Sequence, residues 1–379
     1  MPCINYNDLK YYCTYNPSDV RIENIGPNLA VETYDKEKMN FFYIQFSDDQ
    51  TFKHFPIEQI VPQEVLQRIT SKEVYLIVDN SLEFFLSCAD AIYTDIVVKQ
   101  SIPPEQIIFL SAVPEMINRV KKIASEKNLE EIRVVRFGIF EGTGQDAIRL
   151  TENLNFKKRR FERKFLNLNR RWRLHRPLLY TLMKDKNLLD QAYVSFAKSD
   201  DNKSWPMVYR QLKNMYSYHK KITRILNKNE DVVNTPDLYL DTEDLVTNRA
   251  MHENSIDEYY LKTMFSVVAE TTYHENVVFF SEKTFKTIAM KHPFILVTSP
   301  NSLKQLREIG YKTFHPMIDE SYDTIMDHGD RMIAIVNEIE RICNLKEDSL
   351  KDWLSSVRTV TEYNYKILKS KQDLRVEMN

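Results

Sequence analysis

The chain has 379 residues, 43% of them hydrophobic and 28% charged, with a net charge of −2. That length suffices for two or three domains, each with its own core, and that composition excludes a disordered tail. So balanced a charge gives no global attraction to nucleic acid or an anionic membrane, so any such attraction has to come from local patches.

Glycine usage narrows the chemistry further. Only six glycines occur, against a usual share of about 7%. Phosphate-cradling loops need several together, because the backbone has to approach the phosphates closely. Gly138, Gly142 and Gly144 are clustered, but FGIFEGTGQ fits neither GxxxxGK[ST] nor GxGxxG. ATPase and dinucleotide-binding readings are therefore disfavoured, and side chains would have to hold any phosphate. Four scattered cysteines (Cys3, Cys13, Cys88, Cys343) form no zinc cluster or disulfide scaffold. The amino terminus, MPCINYNDLKYY, lacks a basic region followed by an apolar core, and no apolar run approaches about 18 residues. The expectation is a cytoplasmic protein without a membrane partner.

From Glu73 onward strand-like and helix-like segments alternate. EVYLIVDNS is a buried strand with its exit loop, and residues 82–100 have helical apolar spacing. IPPEQIIFLSA stops that helix at its prolines and continues as a strand. PEMINRVKKIASEKN is a helix and EEIRVVRFGIFE the next strand. After a charged interval, KFLNLN predicts a strand, RPLLYTLMKDKNLLD a helix and QAYVSFA a strand. Residues 206–226 read as one amphipathic helix, and the acid-rich stretch 227–257 as loop. MFSVVAET, the SEKTFKTIAMK helix, PFILVTS and the SLKQLREIG helix form another βαβα series, followed by closing helices from Tyr322. Such alternation predicts parallel sheets flanked by helices. Two α/β halves joined near residues 155–165 imply two Rossmann-like domains facing a cleft, here divided as 1–164 and 165–379.

Two stretches carry candidate chemistry. Residues 157–176, KKRRFERKFLNLNRRWRLHR, hold ten lysines and arginines against one glutamate. Their first part, including Lys157, Lys158, Arg159 and Arg160, reads as a solvated linker or as a contact for a large polyanion. Their second part places Asn169, Arg170, Arg171, Arg173, His175 and Arg176 after a strand and before a helix, where open α/β sheets bind ligands. Arginine forks match phosphate oxygens bidentately. In MFSVVAETTYHENVVFFSEKTFKTIA, Glu270 ends a strand. Ser281 suits an N-cap and Glu282 the positive end of a helix dipole. Lys283 and Lys286 are cations where the dipole disfavours them, and a bound anion would explain both. No HExxH, GxSxG or paired Cys and His appears, and DLYLDTED at 237–244 reads as a solvated acidic loop, so no metal site is expected.

Glu270, the SEKTFK segment and the buried strand after it resemble the donor-binding part of GT-B glycosyltransferases, especially the fucosyltransferase-like group. NRRWRLHR, SEKTFKTI and LREIGYKTF also resemble elements of glycosyltransferases encoded by phages and giant viruses, with Thr287 where that group often has proline. The resemblance covers the C-terminal half and, more loosely, VDNSLEFF and IPPEQIIFLSA. It implies transfer of a sugar from a nucleotide-sugar donor to a hydroxyl, with no cofactor. Residues 165–379 would bind the donor through Asn169, Arg170, Arg173, His175, Arg176, Glu270, Ser281, Glu282, Lys283 and Lys286. Cations of the chain would stabilise the leaving diphosphate in place of a metal. A base for the acceptor hydroxyl would lie at strand exits of the N-terminal domain: Asp79, Glu83 or Glu141. The acceptor is either a hydroxymethylated base in phage-type DNA, which the basic run could contact, or a glycan, lipid or protein. A non-catalytic nucleic-acid-binding protein is the rival from another class.

Overall fold

The computed structural model describes residues 40–45, 56–169, 173–196, 205–236, 238, 240 and 257–371. The chain divides into two compact units, one running through Ile139 and the other from Phe140 to Gln372. Each is an α/β unit built on a four-stranded parallel sheet.

In the first unit, β1 (Asn40–Gln45), β2 (Val74–Asp79), β3 (Ile107–Ser111) and β4 (Arg133–Arg136) lie in sequential order. β2 and β3 are almost continuously apolar and buried, as strands covered on both faces must be. Strand β1 precedes the segment where the sequence pattern first predicts alternation. Between strands run α1 (Gln63–Thr70), α2 (Ser87–Ala91), which continues as a π-helical segment over Ile92–Val98, and α3 (Met116–Lys127). The helix expected from residue 82 thus begins five residues later and widens at its second half. Buried Tyr93 fixes that wide segment: its hydroxyl donates to Glu130 O and accepts from Ile132 N, both at 3.0 Å, just ahead of β4.

The second unit opens with α4 (Ile139–Leu150) and continues with β5 (Arg163–Asn169), α5 (His175–Asp185) and β6 (Ala192–Phe196). The helix expected over 206–226 is two, α6 (Trp205–Met215) and α7 (Lys220–Lys228). Then come α8 (Asp257–Lys262), β7 (Thr263–Ala269), α9 (Glu282–Ala289), β8 (Phe294–Val297) and α10 (Ser302–Glu308). The closing helices are α11 (His328–Cys343) and α12 (Glu347–Ser370). The acidic stretch 237–244 lies, apart from Leu238 and Leu240, outside the described residues. No helix among the described residues is long and apolar enough to cross a membrane.

The boundary near residue 164 read from the sequence is corrected to Ile139, because α4 packs into the second unit. Phe140 meets Phe279 edge-on at 5.6 Å, and Gln145 Nε2 donates to Leu368 O at 3.0 Å. A Cβ on Gly144 would stand 2.8 Å from Phe285 Cβ and 3.0 Å from Leu368 Cδ2. What reads in sequence as a strand exit, FGIFEGTGQ, is a helix whose glycine permits close approach to α9 and α12.

Glycine in a helix interior ordinarily costs about 0.5–1 kcal/mol relative to alanine. Gly144→Ala should reverse that sign and destabilise by about 1–3 kcal/mol, the cost of overpacking a filled core. Urea denaturation checks this, and a raised midpoint would show that the α4–α9 contact is looser than these distances require.

Candidate functional site

The second sheet has the order β6-β5-β7-β8. The chain steps from β5 to β6, then returns across β5 to β7, so the strand order reverses between β5 and β7. Ligands of open α/β sheets bind at the carboxyl ends of strands at such a switch point. Asn169 closes β5, and Ala269 with Glu270 closes β7.

Glu270 is fully buried and both of its carboxylate oxygens are occupied. Oε1 accepts from Ser281 N at 3.1 Å and Thr284 Oγ1 at 2.5 Å; Oε2 accepts from Ser281 Oγ at 2.6 Å and Thr271 N at 3.3 Å. The carboxylate therefore sits against the start of α9, where the helix dipole favours negative charge. The Glu270 carbonyl also accepts from His175 Nε2 at 3.0 Å, and Arg176 Nη2 donates to Ala269 O at 3.1 Å. Burial, with Arg176 adding to it, pushes the His175 imidazole well below its ordinary range, so the ring stays neutral.

The other donor-site candidates divide into groups. Ser281 is the N-cap of α9, as its position in the sequence predicts, and its Oγ accepts from Lys283 N at 3.4 Å. Lys283 Nζ donates to Ser281 Oγ at 2.8 Å and to Glu282 Oε1 at 3.0 Å. Burial works against the charge on Glu282, but Lys283 outweighs it and holds the carboxyl below its usual range. Lys286 is buried, with Nζ 3.1 Å from Asp257 Oδ1 of α8; burial lowers its pKa and Asp257 opposes that. The two lysines thus have carboxylates within the chain, and no external anion is required to explain them. Asn169 is buried beside Asn167, whose Oδ1 accepts from Asn169 Nδ2 at 2.6 Å, while Asn167 Nδ2 donates to Val267 O at 2.7 Å. Asn169 Oδ1 and Thr272 Oγ1 are buried without a hydrogen-bond partner, and buried polar atoms of that kind are uncommon. Arg170 and Arg171 lie outside the described residues; Arg173 precedes α5, its carbonyl accepting from Arg176 N at 2.9 Å.

Of the three base candidates, Asp79 and Glu83 belong to the first unit and Glu141 to the second. Asp79 closes β2 as expected, buried, with Oδ1 accepting from Ser81 N at 2.8 Å, and Glu83 follows in the exit loop. The placement of Glu141 at a strand exit of the N-terminal domain is corrected: it lies on α4 in the second unit. Its carboxylate accepts from Tyr311 Oη at 3.1 Å and pairs with Lys371, which docks the end of α12.

Within the first part of the basic run, Lys158 and Arg160 are exposed as a linker implies, and one residue is corrected. Arg159 is no solvated linker residue. Its Nη2 donates to Met290 O at 2.7 Å and Lys291 O at 2.9 Å, at the carboxyl end of α9 where a cation suits the dipole. Burial brings its pKa down to about 10.

Sequence reasoning missed a second group on the same rim. Tyr273 stacks on His175 with ring centroids 5.2 Å apart, and its hydroxyl donates to His328 O at 2.6 Å. Buried Arg331 donates to the carbonyls of Ile325 (2.7 Å), Met326 (3.2 Å) and Tyr273 (2.6 Å), stapling the β7 exit loop to the start of α11. His274 Nε2 and Tyr216 Oη are hydrogen-bonded at 2.8 Å. A cation in the first turn of a helix is the anomaly that drew attention to Lys283, and Arg331 carried the same signal.

Among the described residues, one group could hold a metal ion: His219, Asp327 and Asp330. It fits a metal poorly. His219 Nδ1 accepts from Ile222 N at 3.3 Å as the N-cap of α7, so Nε2 carries the proton and donates to Asp330 Oδ1 at 3.1 Å. A ligating nitrogen needs a free lone pair.

No family model matches the chain, and no curated protein matches it. Among solved structures, α,α-trehalose 6-phosphate synthase from Burkholderia multivorans is similar to it, with a TM-score of 0.46 and 10% identity over 89% of this chain and 68% of that one. A score at this level says nothing about activity.

The buried histidines predict acid sensitivity. Burial lowers His274 to about 4 and His292 to about 3, below the ordinary 6.5. The unfolded chain therefore takes up protons first as pH falls. Stability held above pH 6.5 should decline through that value and go on falling to about pH 4 for His274 and about 3 for His292. Urea midpoints at pH 7, 6, 5 and 4 test this, and His274→Gln should flatten the upper part of the decline.

Proposed function

We propose that the second unit binds a nucleotide-sugar donor at the β5–β7 switch point and that the protein is a glycosyltransferase acting on a hydroxyl acceptor. The supporting observation is the convergence of unsatisfied and cationic groups at the one sheet edge where such ligands sit: Asn169 Oδ1, Thr272 Oγ1, and the Ser281–Lys283 start of α9. The resemblance of NRRWRLHR and SEKTFKTI to donor-binding segments supports the same reading.

In this reading the Lys283 ammonium meets the diphosphate, with Arg173 ahead of α5 as a second cation. Glu270 contacts no sugar; it holds Ser281 and Thr284 so that the first turn of α9 keeps its orientation. Preorganised donors of this kind stabilise charge that develops on a leaving group. Asp79 remains the candidate base, on the first unit. A DNA acceptor loses one of its supports, because Arg159 is engaged with α9.

Lys283→Ala should weaken binding of UDP or GDP roughly tenfold or more, the loss of one charge-assisted hydrogen bond being about 1.5–3 kcal/mol. Isothermal titration on the folded variant decides it; equal affinity would remove Lys283 from the donor site. Transfer should also persist in excess EDTA, since the cations assigned to the leaving group belong to the chain. Activity lost to EDTA and restored by magnesium or manganese would overturn that assignment.

A further inference from the structure

We propose that Tyr218, with Asp327 and Asp330 at its edge, forms a subsite for a neutral sugar ring of a glycan acceptor; naming it an acceptor site rests on the glycosyl-transfer reading above. Tyr218 lies between α6 and α7 and is 61% exposed, yet its ring is held in place. Its hydroxyl donates to Asp327 Oδ2 at 2.8 Å, and Asp327 is itself fixed as the N-cap of α11, accepting from Asp330 N at 2.8 Å. Behind it the ring lies 6.4 Å from buried Tyr216 with planes 28° apart, and His219 meets it edge-on at 6.1 Å. An immobilised ring loses little entropy when a ligand covers it.

The surroundings select the ligand. The electron-rich face of an aromatic ring attracts the weakly positive C–H face of a pyranose. Carboxylates only accept hydrogen bonds, and sugar hydroxyls are plentiful donors. Asp327 and Asp330 present two acceptors at the ring edge, with His219 Nε2 orienting Asp330 at 3.1 Å. Two carboxylates at the ring edge repel phosphates, so a nucleic-acid strand is the wrong partner for this surface.

The subsite is joined to the switch point by direct contacts. Tyr216 Oη meets His274 Nε2 at 2.8 Å, the His274 and His328 rings lie 5.1 Å apart, and Tyr273 connects His328 O to the ring of His175. His175 in turn donates to Glu270 O. A sugar on Tyr218 would therefore sit on a ring tied to the switch point through buried side chains.

Saturation-transfer NMR on the full chain, with maltose, cellobiose, lactose and chitobiose as probes and a single-stranded DNA 12-mer as the rival, tests the proposal. At least one disaccharide should receive saturation on its ring C–H protons. The signal should fall at least tenfold in Tyr218→Ala, persist in part in Tyr218→Phe, and weaken in Asp330→Asn. Because Tyr218 is exposed, the melting temperature of Tyr218→Ala should match the parent. Absence of any disaccharide signal, a signal indifferent to Tyr218→Ala, or a Tyr218-dependent signal from the oligonucleotide would overturn the proposal. The UDP and GDP titrations separate the two claims: nucleotide binding without disaccharide binding refutes this subsite alone. Disaccharide binding without nucleotide binding refutes glycosyl transfer and leaves a sugar-binding surface.

Discussion

The second unit is organised around one buried carboxylate. Glu270 has no access to solvent, and an ionised group there is tolerable only with its oxygens fully hydrogen-bonded. Four donors meet that requirement: two amides and two hydroxyls from the β7 exit and the first turn of α9. Its carbonyl holds His175 and so the start of α5. The ends of β7, α5 and α9 are thereby placed relative to one another by a single residue. At the opposite end of α9 the Arg159 guanidinium covers the last carbonyls, so the helix dipole is complemented by charge at both termini.

This arrangement changes the meaning of the charges around it. Lys283 and Lys286, which in isolation suggest a missing anion, have Glu282 and Asp257 as neighbours. An amide oxygen on Asn169 and a hydroxyl on Thr272 are buried there without a hydrogen-bond partner. The open hydrogen-bonding capacity of the rim therefore lies beside the cations, and recognition there would combine the two.

The rim also extends further than the strand ends. Arg331 holds three carbonyls from the 273 and 325–326 segments, and His274 and His328 are kept neutral by burial beside it. These buried contacts tie the switch point to the N-terminus of α11, where the exposed Tyr218 ring is fixed by the residue that caps that helix.

Periodicity and local chemistry were enough to read most of the architecture. Continuous apolar runs such as VYLIVD and MFSVVA can only be strands buried on both faces. Ser281 at the head of SEKTFK was legible as a cap because capping depends on residues two or three apart. Functions set by distant partners were not legible. Glu141 looked like a strand-exit carboxylate until Tyr311 and Lys371 closed on it, and Arg159 looked like linker charge until α9 ended beneath it. Gly144 showed its purpose only against Phe285 and Leu368. His219, Asp327 and Asp330 meet across more than a hundred residues, and no local spacing records such a meeting. Local sequence determined the elements and their order, because hydrogen bonding and burial within an element depend on near neighbours. Which charges are spent inside the protein was decided by the tertiary structure alone, because a charge is paired by whatever the fold brings within a few ångströms of it.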